Sequence, residues 1–126
     1  MNVVDSSGWL EYFTAGRNAA YFKAALEDKE HLIVPVICLY EVFRLTLLHK
    51  GEEDALQIAG MMSTGLSVEV NREIALSAAQ LSISHKIPMA DSLILSTARL
   101  YEAILWTQDE HFNGLPGVNY VSKVQD

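Results

Sequence analysis

The amino-acid sequence predicts an α/β fold in which helices alternate with the strands of a mainly parallel sheet. Short β-branched or apolar runs recur along the chain, and one or two helical segments separate each run from the next. Proline and glycine are sparse, at three and seven residues of 126, and they mark the ends of elements instead of forming a linker. We therefore expect a single domain over residues 1–126.

Five segments have the composition of buried or half-buried strands. The first is β-branched, the third alternates apolar and polar residues, and the last follows the turn dipeptides Asn113-Gly114 and Pro116-Gly117. The predicted strands are residues 2–4, 32–34, 66–70, 104–107 and 118–121.

Six helices are predicted between the strands, with bounds set by capping residues and breaks. Asp5, Asn18 and Asn71 are suited to cap the first, second and fifth helices. Pro35 suits the start of the third helix, and Gly51 suits its end. The predicted helices run from Asp5 through Phe13, Asn18 to about Asp28, Val36 to His49, Glu52 to Ser63, Asn71 to about His85, and Met89 to Tyr101.

Composition excludes several classes of protein. A net charge of −7 and a pI of about 5.0 argue against a protein that coats nucleic acid through a basic face. No apolar run approaches the roughly 18 residues that a membrane span needs, and the N-terminus does not resemble a signal peptide. The single cysteine, Cys38, cannot form an internal disulfide, and its apolar surroundings favour a structural role in a reducing cytoplasm.

Four acidic residues, Asp5, Glu41, Asp91 and Asp109, lie inside or at the edge of apolar segments. A buried and unpaired carboxylate is strongly disfavoured, so each needs compensation. Asp5 and Asp109 follow two predicted strands, and in an open parallel sheet ligands bind beyond the carboxyl ends of the strands. We therefore expect these two acids to meet at one edge of the sheet.

Helical spacing directs Glu41 and Asp91 towards apolar faces, because each acid shares a face with three apolar residues. Those two faces consist of Ile37, Leu45 and Leu48, and of Ile94, Leu95 and Ala98. Purely structural roles remain open for every acid. Asp5 can serve only as an N-cap, Asp91 as a first-turn acid and Asp109 as a turn residue, and Glu41 can pair with Arg44.

A divalent metal ion would compensate all four carboxylates together. Carboxylate oxygens are the hard ligands that suit Mg²⁺ or Mn²⁺. Two such ions roughly 4 Å apart can activate a water and stabilise the leaving oxygen of a phosphodiester. The set therefore predicts a hydrolase of phosphate esters, with a ribonuclease favoured. Without metal the clustered acids would repel one another, and at least one of them should have a raised pKa.

The ordered set of acidic segments resembles the PIN domain family, specifically the VapC-type toxin ribonucleases of prokaryotic toxin–antitoxin pairs. The order and spacing of the segments agree over essentially the whole chain. The segments are Val3-Val4-Asp5-Ser6-Ser7, Tyr40-Glu41-Val42, Ala90-Asp91-Ser92-Leu93-Ile94-Leu95-Ser96-Thr97-Ala98 and Thr107-Gln108-Asp109-Glu110-His111-Phe112.

The resemblance implies a three-layer α/β/α sandwich and a Mg²⁺- or Mn²⁺-dependent endoribonuclease. The matching positions imply that the metal ligands are Asp5, Glu41, Asp91 and Asp109. Ser7 and Thr107 match small hydroxyl positions beside these acids, where capping or turn formation is the alternative role. The resemblance further implies a homodimer, an RNA substrate, and a cognate antitoxin whose C-terminal segment covers the site in a hetero-oligomer.

Other functions compete with this interpretation. A catalytically silent PIN-like module that only binds its partner or RNA would have no need of four intact acids. A phosphoacceptor receiver domain would need an acidic pair near the first strand, and a haloacid-dehalogenase-type phosphatase would need an Asp where Ser7 stands. His111 can approach a substrate or serve only in a turn. Four basic residues are candidates for phosphate contact, and each has a solvated or salt-bridging role as the alternative. They are Arg17, Arg44, Lys86 and Arg99.

Overall fold

A computed structural model describes residues 1–124 of the chain. In that part the strands are β1 (Asn2–Val4), β2 (Leu32–Pro35), β3 (Leu66–Val68), β4 (Ile104–Thr107) and β5 (Val118–Tyr120). They form a five-stranded sheet in the order β3-β2-β1-β4-β5, and every adjacent pair is parallel. The predicted α/β fold with a mainly parallel sheet is confirmed.

Six α-helices connect the strands within the same residues. They are α1 (Ser6–Phe13), α2 (Ala19–Glu27), α3 (Val36–Lys50), α4 (Glu52–Met62), α5 (Arg72–His85) and α6 (Met89–Leu100). Single turns of 3-10 helix occupy Lys29–His31 and Glu110–Phe112. The predicted helix bounds differ from these by only a residue or two. None of the helices between residues 1 and 124 combines the length and the apolar character that crossing a membrane would require.

The capping predictions are right at Asp5, Asn71 and Gly51 and wrong at Asn18. The side chain of Asn71 accepts a hydrogen bond from the Ile74 N–H at 2.8 Å, and Gly51 ends α3 at a φ of 95°. Asn18 precedes α2 as expected, but its side chain makes no capping hydrogen bond. Its amide instead donates to Gln108 Oε1 at 3.0 Å and to the Ser122 carbonyl at 2.9 Å, which ties the start of α2 to segments that follow β4 and β5.

The sheet brings the ends of β1 and β4 side by side. Val4 on β1 pairs with Trp106 on β4, and the Asp5 N–H donates to the Trp106 carbonyl at 3.1 Å. Asp5 and Thr107 are therefore neighbours at the carboxyl edge of the sheet. Helix α3 begins directly after β2, the other neighbour of β1, so it starts at the same edge.

Gly8 allows α1 to pack closely beside this edge. A Cβ atom at Gly8 would lie 2.5 Å from Val4 Cγ1 and 2.9 Å from the Phe22 ring, and both of those side chains are fully buried. The Gly8 N–H also donates to Asp5 Oδ1 at 3.0 Å. The missing side chain thus allows the first turn of α1 to pack against Val4 and Phe22.

Replacing Gly8 by alanine should destabilise the protein by about 1–3 kcal/mol, the usual cost of overpacking a core. The matched control is Gly60→Ala in α4, where a Cβ would have no neighbour within 4 Å. Gly60→Ala should stabilise by about 0.5–1 kcal/mol, because alanine is the better helix former. Urea unfolding measures both changes, and equal free energies of unfolding in the two variants would contradict the close packing of α1.

Candidate metal-binding site

Asp5 is a buried carboxylate held by three donors. The residue is only 2% exposed to solvent. Oδ1 accepts from Ser7 Oγ at 2.7 Å and from the Gly8 N–H, and Oδ2 accepts from Thr107 Oγ1 at 2.6 Å. Burial raises the pKa of Asp5 to about 6, although all three donors oppose the change. Asp5 is the N-cap of α1, but capping alone does not require the hydrogen bond from Thr107 on β4.

Thr107 links Asp5 to Asp109. Its side chain is 0% exposed, and Oγ1 both donates to Asp5 Oδ2 and accepts from the Asp109 N–H at 2.9 Å. Ser7 has a similar dual role, because its Oγ also accepts from the Gln108 N–H at 3.3 Å. Thr107 thus joins Asp5 to Asp109, and Ser7 joins Asp5 to the backbone that follows β4.

Glu41 projects from α3 and is held by a residue that the sequence analysis missed. Its Oε1 accepts from Ser6 Oγ at 2.6 Å. The alternative pairing with Arg44 does not occur: Arg44 is exposed and forms no ion pair with Glu41. The predicted apolar face is correct only in part, because Leu48 is 66% exposed. Leu47, the residue before it, is also exposed, so the apolar face is not covered near the C-terminal end of α3.

Asp91, Asp109 and His111 form the tightest group of potential ligands. Nδ1 of His111 lies 2.9 Å from Asp109 Oδ1 and 3.1 Å from Asp91 Oδ2. One potential ligand atom from each of the three residues lies within 4.8 Å of the other two. Asp91 is in the first turn of α6, and the face that it shares is buried as predicted, with Ile94, Leu95 and Ala98 in the core.

The other three acids all repel the charge on Asp91. Burial raises the pKa of Asp91 to about 6, and Asp109 raises it further by repulsion while His111 lowers it. Asp5 and Glu41 add smaller repulsions. The sequence-based expectation of a raised pKa attributed it to repulsion among the acids. Loss of solvation is the larger cause at both Asp5 and Asp91.

Cys38 lies among these acids on the inner side of α3. It is free and fully buried, and its thiol faces the Val4 carbonyl at 3.8 Å. Burial raises the pKa of the Cys38 thiol well above its usual value, and Asp5, Glu41 and Asp91 raise it further. Three acids from different elements therefore act on one buried atom, while the inert thiol has the structural role expected of it.

The donor set suits a hard divalent cation. At neutral pH, carboxyl groups with pKa values of about 6 are mainly ionised, so Asp5 and Asp91 add to a concentration of negative charge. Mg²⁺ and Mn²⁺ prefer carboxylate oxygens, and a bound ion would relieve the cost of burying them. Asp91 and Asp109 belong to the close group of potential ligands with His111, whereas Asp5 and Glu41 accept hydrogen bonds from hydroxyls.

The candidate phosphate contacts lie on the surface. Arg17, Arg44, Lys86 and Arg99 are all exposed. The guanidinium of Arg99 donates to the Pro116 carbonyl at 3.3 Å, and Lys86 ends α5 in the left-handed conformation. Arg99 thus has a structural contact of its own, as the alternative interpretation expected.

Comparisons with known proteins agree with this architecture. The model of the PIN domain family matches residues 3–118, which bears out the resemblance seen in the sequence. No curated protein matches the chain in sequence. Several solved structures share its fold. The three described next are 14–23% identical to this chain, so their similarity is evidence for the fold alone.

A toxin–antitoxin complex from Klebsiella pneumoniae matches with a TM-score of 0.79 at 23% identity, over 94% of this chain and 96% of that one. The sarcin–ricin-loop-cleaving toxin VapC20 of Mycobacterium tuberculosis matches with a TM-score of 0.76 at 15% identity, over 92% and 95%. DNA-bound VapBC from Salmonella typhimurium matches with a TM-score of 0.72 at 14% identity, over 97% and 98%.

Proposed function

This chain belongs to the PIN domain family, and from that premise we propose that it is a metal-dependent endoribonuclease that hydrolyses RNA phosphodiesters. The observation that carries the proposal is the convergence of four acids at one edge of the sheet, with the pKa values of Asp5 and Asp91 raised to about 6. Such a concentration of charge costs stability in the metal-free protein. A function that needs a divalent cation explains why the cost is retained.

The proposed ligands are Asp5, Glu41, Asp91 and Asp109, and the proposed cofactor is Mg²⁺ or Mn²⁺. When bound, the metal would activate a water and stabilise the charge that develops on the leaving oxygen of the phosphodiester. Thr107 and Ser7 orient the Asp5 carboxylate through donors at 2.6 and 2.7 Å, and Ser6 orients Glu41. These hydroxyls hold the acids in position before a cation arrives, which reduces the reorganisation needed for binding.

The biological role that we propose is that of a toxin with a cognate antitoxin. The solved relatives include a toxin–antitoxin complex and a toxin that cleaves the sarcin–ricin loop, both matched over more than nine-tenths of this chain. An exposed apolar groove along α3, lined in part by Leu39, Tyr40 and Phe43, offers a surface for a partner segment. Its residues Tyr40 and Arg44 also line a cavity beside Glu41, so an occupant could reach the acids.

We further propose that the protein forms a homodimer and acts in the cytoplasm. Helix α5 exposes two large apolar side chains two helical turns apart, Leu76 at 58% and Ile83 at 82%. We propose that these two side chains lie in the dimer interface. The free and buried Cys38 is compatible with a reducing compartment.

Expression without any partner tests the role as a toxin. Wild-type protein should arrest growth, and Asp5→Asn should not, because the substitution removes a carboxylate from the proposed metal site. Immunoblotting must show equal amounts of the two proteins, and sequencing of RNA 5′ ends after induction should identify the cleaved RNA. Equal toxicity of the two proteins would contradict the proposal, and RNA binding without cleavage would indicate a silent binding module instead.

A further inference from the structure

His111 occupies a defined position between two of the proposed metal ligands. The short turn Glu110–Phe112 carries it, and its own N–H donates to Asp109 Oδ1 at 2.9 Å. The next residue, Phe112, is fully buried and anchors the turn in the core. The imidazole, 49% exposed on its side chain, therefore faces both the carboxylates and solvent.

The three potential ligand atoms are already near the spacing that one ion requires. Metal bonds to imidazole nitrogen and carboxylate oxygen are about 2.0–2.2 Å long, so two ligands of one ion lie at most ~4.4 Å apart. Ligand atoms of Asp91, Asp109 and His111 lie within 4.8 Å of one another. Small side-chain rotations would bring all three to one ion.

We propose that His111 is a metal ligand, supplying Nδ1 beside the oxygens of Asp91 and Asp109. The inference rests on the proposed metal-dependent function and makes the site a mixed nitrogen and oxygen site. In the structure Nδ1 of His111 lies 2.9 Å from Asp109 Oδ1 and 3.1 Å from Asp91 Oδ2. A bound ion would take the Nδ1 lone pair of the neutral imidazole, whose single N–H would then be on Nε2, so a neutral ring would bind the ion without net release of a proton.

A nitrogen ligand changes which metal the site prefers. Imidazole suits transition metals, whereas Mg²⁺ favours an all-oxygen shell and retains its waters. His111 should therefore increase affinity for Mn²⁺ more than affinity for Mg²⁺. The four acids alone would leave the two ions more evenly matched.

A second role for His111 makes the opposite prediction. The imidazole could act only as a substitute for the cation, pairing with Asp91 and Asp109 until metal displaces it. Removing His111 would then remove a competitor, and metal affinity would rise or stay unchanged. The sign of the change in affinity thus distinguishes a ligand from a substitute.

Mn²⁺ binding to the purified full-length protein tests the proposal without any activity assay. Electron paramagnetic resonance should give a dissociation constant for Mn²⁺, and electron spin echo modulation should detect ¹⁴N bound directly to the ion. His111→Ala should abolish the ¹⁴N modulation and weaken Mn²⁺ binding by about tenfold or more. Competition with Mg²⁺ should show a smaller loss for that ion.

His31→Ala is the matched control. His31 also lies beside an aspartate, with Nδ1 3.0 Å from Asp28 Oδ1, but it precedes β2 and so lies at the opposite edge of the sheet. Its removal should leave the Mn²⁺ affinity and the ¹⁴N signal unchanged. Two results would overturn the role of His111 and leave the proposed function intact. One is Mn²⁺ binding to wild type that is lost in Asp91→Asn but shows no ¹⁴N modulation. The other is Mn²⁺ binding that is unchanged or tighter in His111→Ala. Failure of wild type to bind Mn²⁺ or Mg²⁺ would overturn both.

Discussion

Purified Asp91→Asn protein is expected to lose RNA cleavage by about 10³-fold while remaining folded. An amide is a poor ligand for a hard cation, and the loss corresponds to ~4 kcal/mol of transition-state stabilisation, the scale on which a metal ion acts. The measurement is the single-turnover cleavage rate of a fixed RNA at saturating metal. Asp54→Asn, the same chemical change at an exposed acid in the first turn of α4, should keep the wild-type rate. Full activity of Asp91→Asn would contradict its role as a ligand.

The same substitution should stabilise the metal-free protein. The pKa of Asp91 rises from 3.8 to about 6 on folding, so between these pH values the folded state holds a proton that the unfolded state has released. The free energy of unfolding therefore falls as pH rises through this window, and the penalty is complete above pH 6. A shift of two pKa units corresponds to ~3 kcal/mol in the free energy of unfolding. Solvent access to the carboxylate reduces the stabilisation expected for Asp91→Asn to roughly 1–2 kcal/mol.

Urea unfolding at pH 4 and pH 7 in the presence of a chelator measures this effect. Titration of Asp91 should lower the free energy of unfolding of wild type between pH 4 and pH 7. Asp91→Asn lacks this group, so its free energy of unfolding should fall less over the same range. Metal should stabilise wild type by about 2.7 kcal/mol at a concentration one hundred times the dissociation constant, and should stabilise the variant much less. Destabilisation of Asp91→Asn without metal would show that Asp91 serves the fold instead.

Thr107→Val is expected to weaken metal binding by about 10–100-fold, the range seen when a residue that orients a ligand is lost. The substitution keeps the shape of a fully buried side chain and removes the hydroxyl that joins Asp5 to the Asp109 N–H. Asp5 would lose a donor, so its pKa would rise further above its usual range and its carboxylate would be a poorer ligand at neutral pH. Isothermal titration with Mn²⁺ measures the change.

Two variants control for the loss of a buried hydroxyl. Thr107→Ser keeps the hydroxyl and should retain most of the metal affinity. Thr97→Val removes an equally buried hydroxyl that donates only to the Leu93 carbonyl within α6, so it should leave metal affinity unchanged. Equal affinities of Thr107→Val and wild type would mean that the link between Asp5 and Asp109 is not needed at the site.

The elements were predictable because their signals are local. Caps such as Asn71, the Gly51 stop and the β-branched runs each act within a few residues, and their positions agree with the structure. The strand order was not predictable, since the pattern of a parallel strand does not show which neighbours it has. Asn18 was misjudged for a related reason. Its partners are Gln108 and Ser122, about a hundred residues away, and no local signal points to them.

The four acids could be found from the sequence, but their partners could not. A carboxylate in an apolar segment is visible as an anomaly, whereas the donor that satisfies it depends on packing. Ser6 reaches Glu41 only because α1 lies against α3, and Arg44 forms no ion pair with Glu41. For His111 the sequence left a substrate contact and a turn role open, because its distance from Asp91 depends on where α6 meets the end of β4. Its proximity to Asp109 was the one sequence signal that placed it near the site.

Cleavage of RNA by the purified protein with and without divalent metal is the most direct test of the proposed function. Protein stripped with EDTA should leave the RNA intact, and adding Mn²⁺ or Mg²⁺ in excess of the chelator should restore cleavage in wild type but not in Asp91→Asn. Cleavage that continues undiminished in excess EDTA, or that is equal in the two proteins, would contradict a metal-dependent nuclease built on these acids.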